Sequence, residues 1–554
     1  TNIQMAALVS ALDTNNSIQY GENNHIEYKW SAVQQEKILQ LSFQMVRTSD
    51  TTIKKGLAIK FRECFEKATS DEKKVLIKLL GHTRDIEEGK GEYALTFCII
   101  KELIVNNREL CVNFMKFLVG FEKMGSSMGS SMGSSMGSSM GSWKDMKYLF
   151  NELNDIPTEL VNVINTQLQI DKNSMDNNEN CSLVAKWIPR EKSKKFGWIN
   201  CTLAQNYFSS YGKNGWTKAA SDKARTHYRK LVSSVNKYID TTQVKQCGKM
   251  WKNINFDKVT SITMMKQKKA FLNSNSNTST DRVICHNNLL QYMEDVKQGT
   301  KEMKGSNISM VDFVKQAIHS DSDEEKFIIN EAWKNNSKGT SDLANIIAMV
   351  DTSGSMEQDN SNPLYSAIGL GCRVAEKSKL GKRILSFTAN PEWINLEDTE
   401  TFCEMVNAVI QIPWGMNTNF HKAMDMILDG LVAGKVPAEE VDNLILAIFS
   451  DMQFDQAQKD STYGNGIVRE ILEMKFKNAG IKVCGTPYKV PHILFWNLRS
   501  TDGFPELSYR DGYSMMSGFS PHLLNIFTER GIIGLHTVTP WNMLMKTLDK
   551  VRYI

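Results

Sequence analysis

Four short apolar runs punctuate the second half of this chain, at 346–350, 384–387, 444–449 and 493–496, broken only by Ser386. An apolar run without alternation suits a strand buried on both faces, and strands separated by helices join in parallel through crossovers. The stretches between and after these runs, 363–377, 419–431, 467–478 and 521–529, carry helical patterning. The spacing therefore predicts an α/β domain with an open, doubly wound, mainly parallel sheet, in which ligands gather at the carboxyl ends of the strands.

The rest of the chain has a different texture. At 554 residues it exceeds what one core of roughly 250 to 300 residues holds, so a domain boundary is expected. Residues 30–120 repeat apolar side chains at helical spacing: Ile38, Leu41 and Met45, then Val75, Leu76, Leu79 and Leu80, then Leu95, Phe97, Ile99 and Ile100. The first proline is Pro157, which suits a helical array. A Met-Gly-Ser-Ser repeat within 124–142 has no means of filling a core and reads as a flexible connector. Helical patterning resumes at 143–170, a polar loop is expected at 171–180, and further helices at 222–239, 244–251 and 311–318. The polar stretch 335–340 reads as a linker, giving an all-helical module over 1–334 and the α/β domain over 341–554.

Charge is distributed unevenly. Residues 186–269 hold 19 Lys and Arg against 4 acidic residues, a net of +15 in a chain whose total is +4. Such a segment is the footprint of polyanion binding, with docking on an acidic domain of the same chain as the alternative. Lys186, Arg190, Lys192, Lys194, Lys195, Arg225, Arg229 and Lys230 are the candidates for phosphate contacts. Trp198, Tyr207, Tyr211 and Trp216 are interleaved as stacking surfaces or as core, while Trp143 and Trp187 read as anchors of helix pairs.

The ten cysteines form no C-x-x-C pair and no zinc spacing, so a reducing, cytoplasmic setting is expected. No apolar stretch approaches the ~20 residues of a membrane span, and no membrane association is expected. Around Gly89-Lys90-Gly91 a phosphate loop fails, because Arg84 occupies the first glycine position and Gly91 replaces Ser or Thr. No H-E-x-x-H or G-x-S-x-G occurs, and His421 alone lies near the candidate site in sequence, so no enzymatic activity is expected.

Asp351-Thr-Ser353-Gly-Ser355 follows directly on the run 346–350, which places one carboxylate and two hydroxyls at a strand's carboxyl end. Thr418 precedes a predicted helix, and Asp451 ends the run that begins at Leu444. Oxygen donors of this kind suit a hard cation, Mg²⁺ or Mn²⁺. In order, Asp351, Ser353, Ser355, Thr418 and Asp451 resemble the metal-ion-dependent adhesion site (MIDAS) of von Willebrand factor A (vWA) domains. That resemblance implies a cation with one place open to a partner's acidic side chain. Asn419 departs from the acidic residue that many relatives carry there.

The resemblance extends to the helical half. Arg84-Asp85 with Gly89-Lys90-Gly91-Glu92, Gly141-Ser-Trp143-Lys144-Asp145, Lys186-Trp187-Ile-Pro189-Arg190 and Tyr228-Arg229-Lys230-Leu231 look like signatures of proteins joining a TROVE-like, HEAT-like helical module to a vWA domain. Ro ribonucleoproteins are the known branch. A branch of uncharacterised proteins from plants, fungi and large DNA viruses is closer, and shares the ending Met516-Ser-Gly-Phe519-Ser-Pro521. On the Ro side the resemblance implies an RNA-binding ribonucleoprotein that takes structured or misfolded RNAs and single-stranded ends. A different reading is a viral or cellular scaffold that uses the metal for protein contacts without nucleic acid, in a virion or viral factory if the chain is viral.

Overall fold

The computed structural model describes residues 18–23, 25–121, 139–411, 419–454, 468–528 and 537–553. The chain divides into two compact units. The first draws on Thr1–Thr83, Glu88–Gly91 and Glu302–Tyr553, the second on Arg84–Glu87 and Glu92–Lys301. The repeat expected to be a flexible connector lies largely outside the described residues.

Eight strands are described, all in the first unit: β1 (Ile18–Tyr20), β2 (Ile26–Tyr28), β3 (Asn345–Asp351), β4 (Arg383–Phe387), β5 (Trp393–Asn395), β6 (Leu444–Ser450), β7 (His492–Asn497) and β8 (Tyr513–Ser517). β1 and β2 form an antiparallel hairpin. The other six make one sheet in the order β5-β4-β3-β6-β7-β8, parallel throughout except for the β4–β5 pair. The chain leaves β3 toward β4 on one side and returns to β6 on the other, so the strand order reverses around β3, the place where open α/β sheets bind ligands at the carboxyl ends.

The predicted apolar runs are β3, β4, β6 and β7. β5 escapes the pattern because it is three residues at the sheet edge. β8 escapes it because its sequence, Tyr-Ser-Met-Met-Ser, carries two serine hydroxyls although all five residues are buried. Those hydroxyls are satisfied inside: Ser514 Oγ lies 2.8 Å from His492 Nε2, and Ser517 Oγ donates to the Ser42 carbonyl at 2.8 Å.

The boundary expected at 335–340 falls within the first unit. The helix Asp323–Ser337 runs into that stretch, and buried Asn336 donates to the carbonyls of Gly305 and Ser306 at 3.2 Å and accepts from buried Arg373 at 3.1 Å. The early helix Gln34–Gln44 also belongs to this unit. Asn497 Nδ2 donates to the Phe43 carbonyl at 3.0 Å, and Gln44 Nε2 to the Gly503 carbonyl at 2.8 Å. Lys90 is buried, its ammonium donating to the Met45 carbonyl at 3.1 Å and to Ser517 Oγ at 2.7 Å. Polar bonds across such sequence distances leave no trace in local composition.

The second unit is helical throughout its described regular structure, from Tyr93–Leu103 to Thr280–Lys297. The loop expected at 171–180 is instead entered by the helix Thr158–Asp176. Buried Asp171 holds it, accepting from Gln167 Nε2 at 2.9 Å, Ser182 N at 3.0 Å and Ser182 Oγ at 2.7 Å. Arg84 and Asp145, both buried, pair through Nε at 3.1 Å and Nη2 at 2.6 Å. None of the described helices is long and apolar enough to cross a membrane.

Candidate functional site

β3 and β6 pair in register up to Val350 and Phe449, which sets their last residues, Asp351 and Ser450, side by side. Ser450 Oγ donates to Asp351 Oδ2, and the Ser353 amide donates to Asp351 Oδ1 at 2.9 Å. Ser353 Oγ and Ser355 Oγ are 3.1 Å apart. Asp451 follows Ser450 and accepts the Gln453 amide on Oδ1 at 3.2 Å. Asp351, Ser353, Ser355 and Asp451 are thus brought to one end of two neighbouring strands. Thr418 lies outside the described residues. Asn419 caps the helix Phe420–Ala433 by accepting from Lys422 N at 3.0 Å.

Both carboxylates are fully buried, Ser353 is buried, and Ser355 is partly exposed. Burial, and then the charge of Asp451, push the Asp351 carboxyl above the usual carboxylate range. Thr352 Oγ1 is buried with no hydrogen-bond partner among the described residues. Each bonded carboxylate oxygen keeps a further lone pair. Two close acidic groups and two neighbouring hydroxyls form an all-oxygen donor set that suits a small hard cation.

The segment after the loop is strained. Asp359, Asn360 and Ser361 have φ of 52°, 60° and 56°, three successive non-glycine residues in the left-handed region. Asp359 is held there by the Ser49 amide, which donates to its carboxylate at 2.9 Å.

Sequence reasoning missed the cation already present. Arg499, two residues beyond β7, donates from Nε to Asp451 Oδ2 at 2.9 Å and from Nη1 to Gln358 Oε1 at 3.2 Å. Its Nη2 reaches Glu22 Oε2 at 2.8 Å, in the β1–β2 turn. That turn also bonds Gln453, from the Glu22 amide at 2.8 Å and from Asn23 Nδ2 at 3.0 Å. The signal available was a cationic residue just past the end of a strand neighbouring β6.

Of the candidates for phosphate contacts, Arg190, Lys192, Lys194, Lys195, Arg229 and Lys230 are exposed and Lys186 and Arg225 are half-buried. Arg225 and Arg229 both lie 3.5 Å from Glu191 carboxylate oxygens. Trp198 and Trp216 are exposed, whereas the Tyr207 hydroxyl bonds Gln169 and the Tyr211 hydroxyl lies 2.7 Å from His227 Nδ1.

Residues 345–546 match a domain of unknown function (DUF7788), and residues 147–356 match a second one (DUF2828). A mimivirus protein is similar to most of the chain. This relative, "Uncharacterized protein L728" of Acanthamoeba polyphaga mimivirus, is 28% identical over 517 residues, spanning 88% of this chain and 81% of its own. Among solved structures, proximal thread matrix protein 1 from the mussel byssus aligns with 35% of this chain and 48% of its own, at 10% identity and a TM-score of 0.23. At that score no common fold follows.

Proposed function

We propose that the carboxyl edge of β3 and β6 is a vWA-type metal site that binds Mg²⁺ or Mn²⁺ through Asp351, Ser353, Ser355, Thr418 and Asp451 and presents it to an acidic side chain of a protein partner. The observation that carries this reading is the convergence of Asp351, Ser353, Ser355 and Asp451 where the strand order reverses. The cation would supply positive charge to two buried acidic groups and a binding place for an incoming carboxylate. The role on this reading is binding, without an enzymatic step. The match to the mimivirus protein supports placing the chain in the large-DNA-virus branch of TROVE-like, HEAT-like proteins carrying a vWA domain, acting in the cytoplasm or in a viral factory or virion.

On this reading the second unit binds RNA, structured or misfolded or by its single-stranded ends, through the exposed lysines of 186–230. The +15 balance over 186–269 supports it. A scaffold without nucleic acid is the competing reading. It is favoured by Glu191, which draws on two of the expected phosphate contacts, and by the tied hydroxyls of Tyr207 and Tyr211.

Two measurements test the proposal. Calorimetric titration of the full chain with Mg²⁺ should show one site that Asp351→Ala removes, and a wild-type chain with no binding heat and no thermal stabilisation by Mg²⁺ or Mn²⁺ rules the metal site out. Purification with and without ribonuclease should yield RNA that high salt releases, whereas a nucleic-acid-free peak selects the scaffold.

A further inference from the structure

Three ammonium groups of the second unit gather around one indole. The Nζ atoms of Lys147, Lys186 and Lys144 lie 4.7, 5.5 and 5.7 Å from the Trp187 ring centroid. Lys147 is also 5.3 Å from the Phe196 ring, and Lys144 and Lys147 are 5.2 and 5.4 Å from that of Tyr148. The three charges are therefore separated by no more than about one Debye length at ordinary ionic strength.

No carboxylate pairs with Lys144, Lys147 or Lys186 among the described residues. The adjacent Asp145 bonds Arg84 Nη2 at 2.6 Å and Ser142 N at 2.8 Å, and its charge raises the Lys144 ammonium by less than burial lowers it. Lys144 and Lys147 also occupy the first turn of the helix Lys144–Leu153, where the positive end of the peptide dipole opposes a cation. All three lysines are only partly exposed, and burial lowers each ammonium below the ordinary lysine range. For Lys147 the neighbouring Lys144 lowers it further. Ring faces soften this crowding by cation–π attraction, typically about 0.5–1 kcal/mol each at exposed sites, but supply no net negative charge.

We propose that Lys144, Lys147 and Lys186 around Trp187 form a binding site for a phosphomonoester group. Lysines act on phosphate as point charges, and three of them match a terminal phosphate of about −2 better than an internal diester of −1. The inference rests on the RNA-binding reading for its preferred source, the terminal phosphate of a strand. A free mononucleotide offers the same chemistry.

The test uses the full chain in EDTA and one short single-stranded oligoribonucleotide, with terminal phosphates or with terminal hydroxyls, followed by anisotropy at fixed salt. The phosphorylated form should bind about tenfold more tightly. Lys144→Met and Lys147→Met keep their stems over the rings, and each should abolish that advantage while leaving the hydroxyl form within about twofold. Tryptophan fluorescence on addition of uridine monophosphate gives an independent arm. If neither oligonucleotide binds but the mononucleotide quenches in a lysine-dependent way, RNA binding fails while the phosphate site stands. Equal affinities with no mononucleotide effect, or an advantage that survives in folded Lys144→Met and Lys147→Met chains, would overturn the proposal.

Discussion

Arg499 Nε donates to Asp451 Oδ2 at 2.9 Å, placing a guanidinium against a carboxylate that has no exposed surface of its own. Removing one partner of a buried pair leaves the other charged and unsolvated. Arg499→Met should therefore destabilise the first unit by about 3 kcal/mol in EDTA, within the range for broken buried pairs. Urea unfolding checks it, and on the proposed function added Mg²⁺ should recover part of the loss. An unchanged midpoint would mean that Asp451 does not depend on Arg499.

Asp351 gives a pH dependence with a definite sign. Its carboxyl is raised in the folded protein by burial and by Asp451, against about 3.9 in an unfolded chain. Above the unfolded value the unfolded state gives up its proton while the folded state keeps it. This group's stability contribution is therefore full below about pH 4 and is lost as pH rises through the folded value. Metal-free Asp351→Asn should flatten that decline, as thermal unfolding across pH in EDTA would show; an identical slope in both proteins would refute the assignment.

In the second unit, Asp145→Ala strands Arg84, which is 6% exposed. A loss of about 3–5 kcal/mol is expected, as for other buried pairs broken from one side. Arg84→Met with Asp145→Leu should lose less than Asp145→Ala alone, because the double change leaves no unpaired charge. Denaturant midpoints of the three variants decide the matter.

Phosphate contacts predict a salt signature. Lys194, Lys195 and Lys230 changed together to Ala should lower the slope of log affinity against log salt by about 0.7 for each lost contact with a single strand. Arg225→Ala and Arg229→Ala should each change it less, since both face Glu191. Equal effects from the two groups would show that Glu191 does not compete with RNA.

The sheet was legible where strands are built around a mainly apolar run, as in β3, β4, β6 and β7. It was not legible in β8, whose two serines are buried only because His492 and the Ser42 carbonyl receive them. Asp351, Ser353, Ser355 and Asp451 were visible from their place at strand ends. Arg499 was not, since its pairing with Asp451 spans 48 positions and depends on the order of strands in the sheet. The stretch 335–340 differs from a linker for a related reason: Asn-rich composition marks a linker only when the asparagines face water, and Asn336 is buried.

The composition of the first unit from distant stretches bears on how the chain is made. Phe43 and Asn497 are bonded although 454 positions apart. At about 5–20 residues per second, a ribosome takes on the order of 25–90 s to travel between them. Throughout that interval Ile38, Leu39, Leu41 and Phe43, all buried in the finished protein, wait for their cover, while residues 92–301 emerge complete. The order of synthesis thus favours early folding of the inserted helical unit, and leaves the apolar face of the helix Gln34–Gln44 without its late-made partners until the last strands arrive.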